Sequence, residues 1–493
     1  MITFIIGIAI LIIGGFLYGK YCESQFEPDD RETPAVALMD GVDYVPMKSW
    51  KNALIELLNI AGTGPILGPI QGILFGPIAF ITIPVGCVLA GSAHDYFNGM
   101  ISMREGGAQM PRMIRKYLGG TVFNVYNILT WILMLLVGVV FVYTPGDLIV
   151  KELLGADTAF SNPIVWVVYG GIFVYYIIAT LFPIDAIIGR VYPIFGAFLI
   201  ISAVGIFIGV LMDGGANLIN ITDAPLFTAH PGGQPFIPIF FITVACGILS
   251  GFHGSQSCLI ARTVEHEKEG RMTFYNMMLV EGFIAMCWAG GAMILFNRGV
   301  PTDTGATLMV GEVSRAFLGN IGAILAIVGV IVLPITSGDT AFRSLRLMVA
   351  EQFNIDQRPA KNRVMLSAAL FVPAIIILII AKINPTGFNI LWRYFAWTNQ
   401  TIAIFALAMI AIYLHIRSKN FLVGLIPGMF YTFIITSYII HAPIGLGLEQ
   451  RIGMNPDSYM LSYIIAAVLT LLYAWFTVRR AKNHKEELLH KRA

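Results

Sequence analysis

The stretch NIAGTGPILGPIQGILFGPIAF, residues 59–80, is apolar over a length that crosses a bilayer, yet it carries Gly62, Gly64, Pro65, Gly68, Pro69, Gly72, Gly76 and Pro77. Glycine weakens a helix interior by about 1 kcal/mol relative to alanine, and proline by about 3. Hydrocarbon offers no water to a freed N–H or C=O, so a broken helix persists there only against protein or a polar cavity. The stretch therefore reads as a membrane helix interrupted at a site.

The rest of the chain supports the membrane premise. Of 493 residues, 57% are hydrophobic and 12% charged, and mean hydropathy is +0.77. A soluble domain carries roughly twice that charged fraction. Apolar runs of membrane length recur from end to end. The net charge of +2 gives no reason to expect a nucleic-acid partner. Cys22, Cys87, Cys246, Cys258 and Cys287 form no CxxC pair and read as small buried hydrophobes, so no metal or other cofactor is expected. The first segment, MITFIIGIAILIIGGFLYGK, lacks a basic flank and a small-x-small cleavage site. It reads as a retained helix rather than a signal peptide.

Membrane helices are expected at about 1–19, 50–75, 77–103, 120–144, 163–182, 190–212, 236–260, 273–297, 317–342, 364–382, 389–416, 421–441 and 459–478. Lysine and arginine divide unevenly between alternate connections. Lys20 to Lys51, Arg104 to Lys116, Arg190, Arg262 to Arg271, Arg343 to Arg363, Arg417, Lys419 and the tail RRAKNHKEELLHKRA form one set. Lys151, Arg298, Arg315, Lys382, Arg393 and Arg451 form the other. The positive-inside rule places the first set in the cytoplasm, the N-terminus outside and the C-terminus inside. The acidic loop 20–49 has no evident role, and the basic tail is expected to lie against anionic headgroups.

A second interruption strengthens the first. In PIFFITVACGILSGFHGSQSCLI, residues 238–260, an apolar helix runs into SGFHGSQS and resumes. The two breaks lie five helices apart, in helices of opposite direction. This arrangement implies two inverted five-helix repeats with a binding site between them, as in secondary transporters. The expected divisions are 1–49 (helix and loop), 50–212 and 236–416 (repeats), 421–478 (two further helices) and 479–493 (tail). The segments around 62–68 and 250–255 are expected to be unwound side by side. The competing reading is that these glycines only allow close helix packing.

Polar residues in the membrane supply the site candidates. Backbone and side chains at Gly62, Thr63, Gly64, Ser250, Gly251, His253, Asn399 and Gln400 are candidates for substrate. The amides of Ile66, Leu67 and Gly68, opening a half-helix after Pro65, offer an anion site for a carboxylate. Asp95, Glu281 and Asp339 are candidate ion or proton carriers, and His253 adds a group that titrates near neutral pH. Thr336, Ser337 and Thr340 offer sodium an alternative site with the freed carbonyls of residues 61–63. Each carboxylate has a structural alternative: Asp95 with Arg104, Asp339 with Arg343 one turn on, and Glu281 at the headgroup boundary.

The segments NIAGTGPILGP, LAGSAHDYFNGMISMREGG, FFITVACGILSGFH, VEGFIAM, SGDTAFRSLRLM and WTNQTIAIFAL, in that order, resemble the carbon starvation protein A family. The match spans about residues 40–415, with Thr336, Asp339, Arg343, Ser344 and Arg346 on one motif. The resemblance implies inner-membrane secondary transporters, induced on nutrient limitation and linked to peptide and pyruvate uptake, with the five-plus-five fold of the amino acid–polyamine–organocation superfamily. It leans toward proton coupling, with sodium the alternative. The sequence departs from the family in three places. Ile55-Glu56 replace a His-His pair, His94 replaces a glutamine, and a long insertion between the helices near 297 and 317 is missing.

The expectation is an all-α integral membrane protein that imports a small carboxylate-bearing nutrient by alternating access. It is expected to work as a monomer or weak homo-oligomer. No GxSxG, HExxH or paired metal-ligand pattern argues for an enzyme. A channel needs one continuous pore, which inverted broken helices do not suit.

Overall fold

The computed structural model describes residues 1–40, 44–181, 184–357 and 359–490, with side chains outside 180–193 and 487–490. Arg190 and Arg358, counted in the basic set, therefore lie outside the described side chains. The described residues are helical apart from connections and two isolated bridges, Glu32 with His266 and Met47 with Val264. Helix stands at each expected place. The first segments are α1 (Ile2–Phe26), the bent pair α2 (Ser49–Ile60) and α3 (Gly64–Phe75), and α4 (79–104). A short helix α5 (Met110–Leu118) leads into α6 (Gly120–Leu153), α7 (Pro163–Leu181) and α8 (Ile184–Asp213). The second broken segment comprises α9 (Phe236–Val244) and α10 (Gly251–Ile260). Then come α11 (Glu267–Asn297), α12 (Ala306–Gln352), α13 (Ala360–Ile383), α14 (Gly387–Ile416), α15 (Leu422–His441) and α16 (Met460–His490). Among the described residues, ten helices are long and apolar enough to span a membrane, eleven with the α2–α3 pair. The other two of the thirteen expected are α7, described without side chains beyond residue 179, and α4, whose second half carries His94, Asp95 and Asn98.

Helix α12 begins eleven residues before its expected start at 317. Its 47 residues would extend about 70 Å at 1.5 Å per residue, more than twice the hydrocarbon thickness. The chain instead turns at Gly319, where φ is +64°. The stretch before Gly319 contains Glu312 and Arg315, paired at 3.0 Å, so its polarity hid it from a hydropathy reading.

The connections gather at two ends, as the charge alternation requires. At one end Arg104 holds Glu267 at 2.7 and 2.9 Å, Arg271 holds Glu23, Lys268 holds Asp30, and Lys419 reaches Glu27. At the other end the N-terminal ammonium meets Asn220, Arg298 meets Asp213, and Arg315 meets Glu152. The acidic loop now has a role. Thr33 donates to the Val264 carbonyl, Asp29 N–H donates to Glu267, and Tyr44 donates to the Gly106 carbonyl. Its carboxylates and backbone fasten α1 to the connections before α5 and α11.

The first break is narrower than expected, and the second is displaced. The first occupies residues 61–63, bending α2 from α3 by 52°. Gly64 and Pro65 already belong to α3, where proline in the first turn costs no hydrogen bond. The second occupies residues 245–250, with Ser250 extended at φ −136° and ψ 122°. The sequence reading placed it at 250–255, but helix resumes at Gly251 and His253 sits in the first turn of α10. The breaks are neighbours: α3 packs on α9 and on residues 245–247.

Protein fills the spaces that the glycines leave. A Cβ on Gly64 would lie 2.2 Å from the Cys246 Cβ, and one on Gly68 would lie 3.0 Å from the Thr243 oxygen. A Cβ on Gly72 would meet Val244 at 2.3 Å, and one on Gly251 would meet Ile402 at 2.3 Å. The glycines at 64, 68 and 72 thus form one stripe, spaced by four, that lets two broken helices touch. Gly64→Ala is expected to cost about 1–3 kcal/mol by overpacking against Cys246. The double variant with Cys246→Gly is expected to lose less than the two single losses combined. Thermal unfolding of the purified variants in detergent measures both, and strictly additive losses would dissolve the proposed contact.

Candidate functional site

A break inside a membrane helix leaves carbonyls at the end of its first half and amides at the start of its second. Helix α14 supplies partners for both. Asn399 Oδ1 accepts from the Phe252 amide at 2.8 Å, and its Nδ2 donates to Ser250 Oγ at 3.0 Å and Cys246 Sγ at 3.2 Å. Gln400 Nε2 donates to the Phe241 carbonyl at 2.6 Å. Adjacent residues of one helix thus cap both halves of the other. Both side chains are fully buried. They were expected to face substrate; the structure places them against backbone. The anion site expected at α3 is likewise occupied in this conformation. The Ile66 and Leu67 amides donate to the Thr63 carbonyl at 3.2 and 2.9 Å. Thr63 Oγ1 is buried beside the break with no described partner, and Gly62 packs against Phe141.

Because α10 starts at Gly251, His253 and Ser257 lie one turn apart on one face, and both meet carboxyl groups. His253 Nδ1 is 3.0 Å from Asp95 Oδ2, and its Nε2 is 3.6 Å from Glu281 Oε2. The other Asp95 oxygen is 2.7 Å from His94 Nδ1, whose Nε2 accepts from Asn98 Nδ2 at 3.1 Å. Ser257 donates to Glu56 Oε1 at 2.7 Å. Glu56, His94, Asp95 and Glu281 are 0% exposed and His253 1%. Neither Glu281 oxygen nor Glu56 Oε2 has a hydrogen-bond partner among the described residues. Three carboxyls and two imidazoles therefore share a buried site joining α2, α4, α10 and α11. An unpaired charge buried there costs several kcal/mol, so these imidazoles and carboxyls must balance one another. Among the described residues, no cluster of three or more His, Cys, Asp or Glu side chains has metal-holding geometry.

Asp95 and Glu281 take neither structural alternative offered for them. Arg104 is occupied by Glu267, and Glu281 is in the interior. Asp339 does take its alternative: Arg343 NH2 is 3.7 Å away and also donates to the Ala179 carbonyl at 2.8 Å. Thr336 and Thr340 donate to carbonyls of their own helix, and Ser337 Oγ is 3.5 Å from the Leu58 carbonyl at the end of α2. This group stands apart from the His253 cluster. It borders a cavity of about 660 Å³ that runs from Met47, Gln109 and Asp356 at the basic-loop end to Asn59 and Thr340 beside the first break. Lys51, Arg262 and Arg343 bring positive charge to its wall, against Glu351 and Asp356. The volume suits a small molecule.

The sequence reading treats Asp95, His253 and Glu281 one by one and gives no role to Glu56, His94, Asn98 or Ser257. A signal was present for Glu56: it is the one acid in ALIELLNIAG, an apolar run. It was noted only as a departure from the family.

The chain matches the family model described as carbon starvation protein CstA over residues 1–160, 140–299 and 289–438. It is 43% identical over 333 residues to an uncharacterised membrane protein of Haemophilus influenzae, covering 58% of this chain and 89% of that one. It is 24% identical over 573 residues to the peptide transporter CstA of Bacillus subtilis, covering 95% and 92%. Against the pyruvate/proton symporter BtsT of Escherichia coli it is 25% identical over 344 residues, covering 58% and 48%. Among solved structures, MhsT in complex with L-phenylalanine superposes with a TM-score of 0.57 at 14% identity, covering 87% of this chain and 99% of that one. A mutant manganese transporter of Eremococcus coleocola gives 0.51 at 13%, covering 88% and 94%. These two share the fold alone. The chain is thus an all-helical membrane protein with the five-plus-five inverted-repeat transporter fold, extended by α1, α15 and α16.

Asn399→Ala is expected to destabilise the folded protein by about 1–2 kcal/mol, the loss of a helix cap with a buried amide left unpaired. The Phe252 amide is expected to exchange with solvent faster. Hydrogen exchange of the peptide spanning 248–256, with thermal unfolding, checks both effects. Unchanged exchange would mean that Asn399 does not hold the break.

Proposed function

The chain belongs to the carbon starvation protein CstA family, and from that premise and the geometry we propose that it imports a small carboxylate-bearing nutrient, a peptide or pyruvate, coupled to protons. That the protein is a secondary transporter and not an enzyme follows from its relatives and fold. The observation that carries the proton reading is His253, buried between Asp95 and Glu281 in the first turn of the second half-helix.

The basic-loop end is assigned to the cytoplasm of a cell with an inner membrane, with the N-terminus outside and the C-terminus inside. The repeats are assigned to residues 50–212 and 236–416. In this reading the conformation is open inward, because the cavity runs from the basic-loop end to the first break. Its cations attract a carboxylate, a group that pyruvate and peptides share. The substrate rests beside Asn59 and Thr340, where α2 meets α12. One helical turn before Asn59, Glu56 faces Ser257 rather than the cavity. A shift of α2 that closes the cavity must also change the Glu56–Ser257 contact, and through α10 the environment of His253. Proton occupancy and access to substrate are thereby linked. A single chain holds every residue this scheme uses.

Asp339 is the third candidate carrier. Its contact with Arg343, 3.7 Å away on the same helix, favours a positioning role. The sodium alternative keeps one supporting observation, the approach of Ser337 to the Leu58 carbonyl.

The test is paired uptake in sodium-free proteoliposomes, with pyruvate, dipeptides and amino acids as competing substrates. An inward proton gradient is expected to drive accumulation by wild type. His253→Gln and Glu281→Gln are expected to lose accumulation while keeping counterflow, which needs no net proton movement. Asp339→Asn is expected to keep gradient-driven accumulation. Accumulation only after sodium is added would move the ion site to Thr336, Ser337 and Thr340. Wild-type accumulation by His253→Gln would remove the cluster from the coupling.

A further inference from the structure

A second concave site lies at the basic-loop end, away from the transport cavity. It has a volume of about 540 Å³ and is walled by the end of α1, the α14–α15 connection and the far end of α16. Arg31, Arg104, Lys116, Arg417, Lys419 and Lys485 line it, against Glu27 and Glu105. Four of these cations have carboxylate partners. Arg104 holds Glu267, Arg31 holds Asp29, Lys116 holds Glu105, and Lys419 holds Glu27. The other two do not, among the described residues. Lys485 Nζ meets Ser418 Oγ at 2.9 Å, and the Arg417 guanidinium lies over the Tyr413 ring, 4.7 Å from its centroid. Two cations of this pocket thus lack a carboxylate at ion-pair distance among the described residues, and one of them is oriented by an aromatic floor.

We infer that this pocket binds a phosphate-bearing anion, and that the headgroup of an anionic phospholipid is the source it fits. A guanidinium held flat presents paired donors that match two phosphate oxygens, and an ammonium adds a point charge. The position favours lipid over a soluble phosphate. Arg417 follows directly on Ile416, the last residue of the membrane helix α14. Helix α16 turns apolar side chains outward below the pocket, with Leu471 65%, Leu472 53% and Trp475 57% exposed. Arg479 stacks on Trp475, marking the interface level on that helix. Acyl chains can therefore run along α16 while the headgroup sits between Arg417 and Lys485. A headgroup bound there bridges α14 and the peripheral α16, so it is expected to stabilise their packing. This inference is independent of which substrate or ion is transported.

The experiment uses the full chain, stripped of native lipid by detergent exchange, and reads thermal unfolding. Phosphatidylglycerol in mixed micelles is expected to raise the Tm of wild type by several degrees, and phosphatidylcholine is not. The double variants R417A/K485A and R417E/K485E are expected to lose that gain, and R417K/K485R to keep most of it. Glycerol 3-phosphate is added at ionic strength matched with sodium chloride. If it alone reproduces the gain, and R417A/K485A abolishes it, the phosphate site stands with a soluble source. Equal effects of the two lipids on wild type would overturn the inference. So would a full phosphatidylglycerol gain in R417A/K485A.

Discussion

The interaction on which the molecule depends is the capping of a broken membrane helix by another helix. In hydrocarbon the amides and carbonyls freed on either side of residues 245–250 have no solvent to turn to. Asn399 and Gln400 take them up from α14, and the dense side of that bargain is Gly251, which lets α14 come close enough. The first break is handled differently. Its second half opens with a proline in the first turn, and its glycine stripe presses against the end of α9. Each interrupted helix is thus completed by a neighbour, and the neighbours are fixed in turn.

The position of the second break decides the chemistry. With α10 starting at Gly251, His253 and Ser257 share a face, and that face meets Asp95, Glu281 and Glu56 from three other helices. A start one residue later would turn these side chains by about 100° about the axis. The cluster is fully buried, so its polar groups interact strongly across four helices. Asp339 shows the contrast. Its partner, Arg343, stands one turn on in the same helix.

Outside this core, charge pairs organise the connections. Glu267 alone receives Arg104 and the Asp29 amide, so it joins α1, α4 and the approach to α11. The acidic loop neutralises the basic connections at that end. Arg417 and Lys485 are left over beside α16, which is why the pocket there carries positive charge.

The sequence by itself determined the membrane class, the helix positions and the grouping of connections at two ends. Hydropathy and charge act residue by residue along the chain, so both are readable without contacts. The existence of two broken helices was legible for the same reason, since glycine and proline act on their own backbone. The exact site of the second break was not. Ser250 to Gly254 is rich in breakers, yet the helix resumes at Gly251 because Asn399, nearly 150 residues away, supplies its cap. The roles of Asn399 and Gln400 were hidden likewise, since an amide side chain serves substrate and backbone equally well. Glu56 and His94 joined the cluster only in three dimensions. Their partners lie on other helices, and a buried acid in an apolar run announces a partner without naming it.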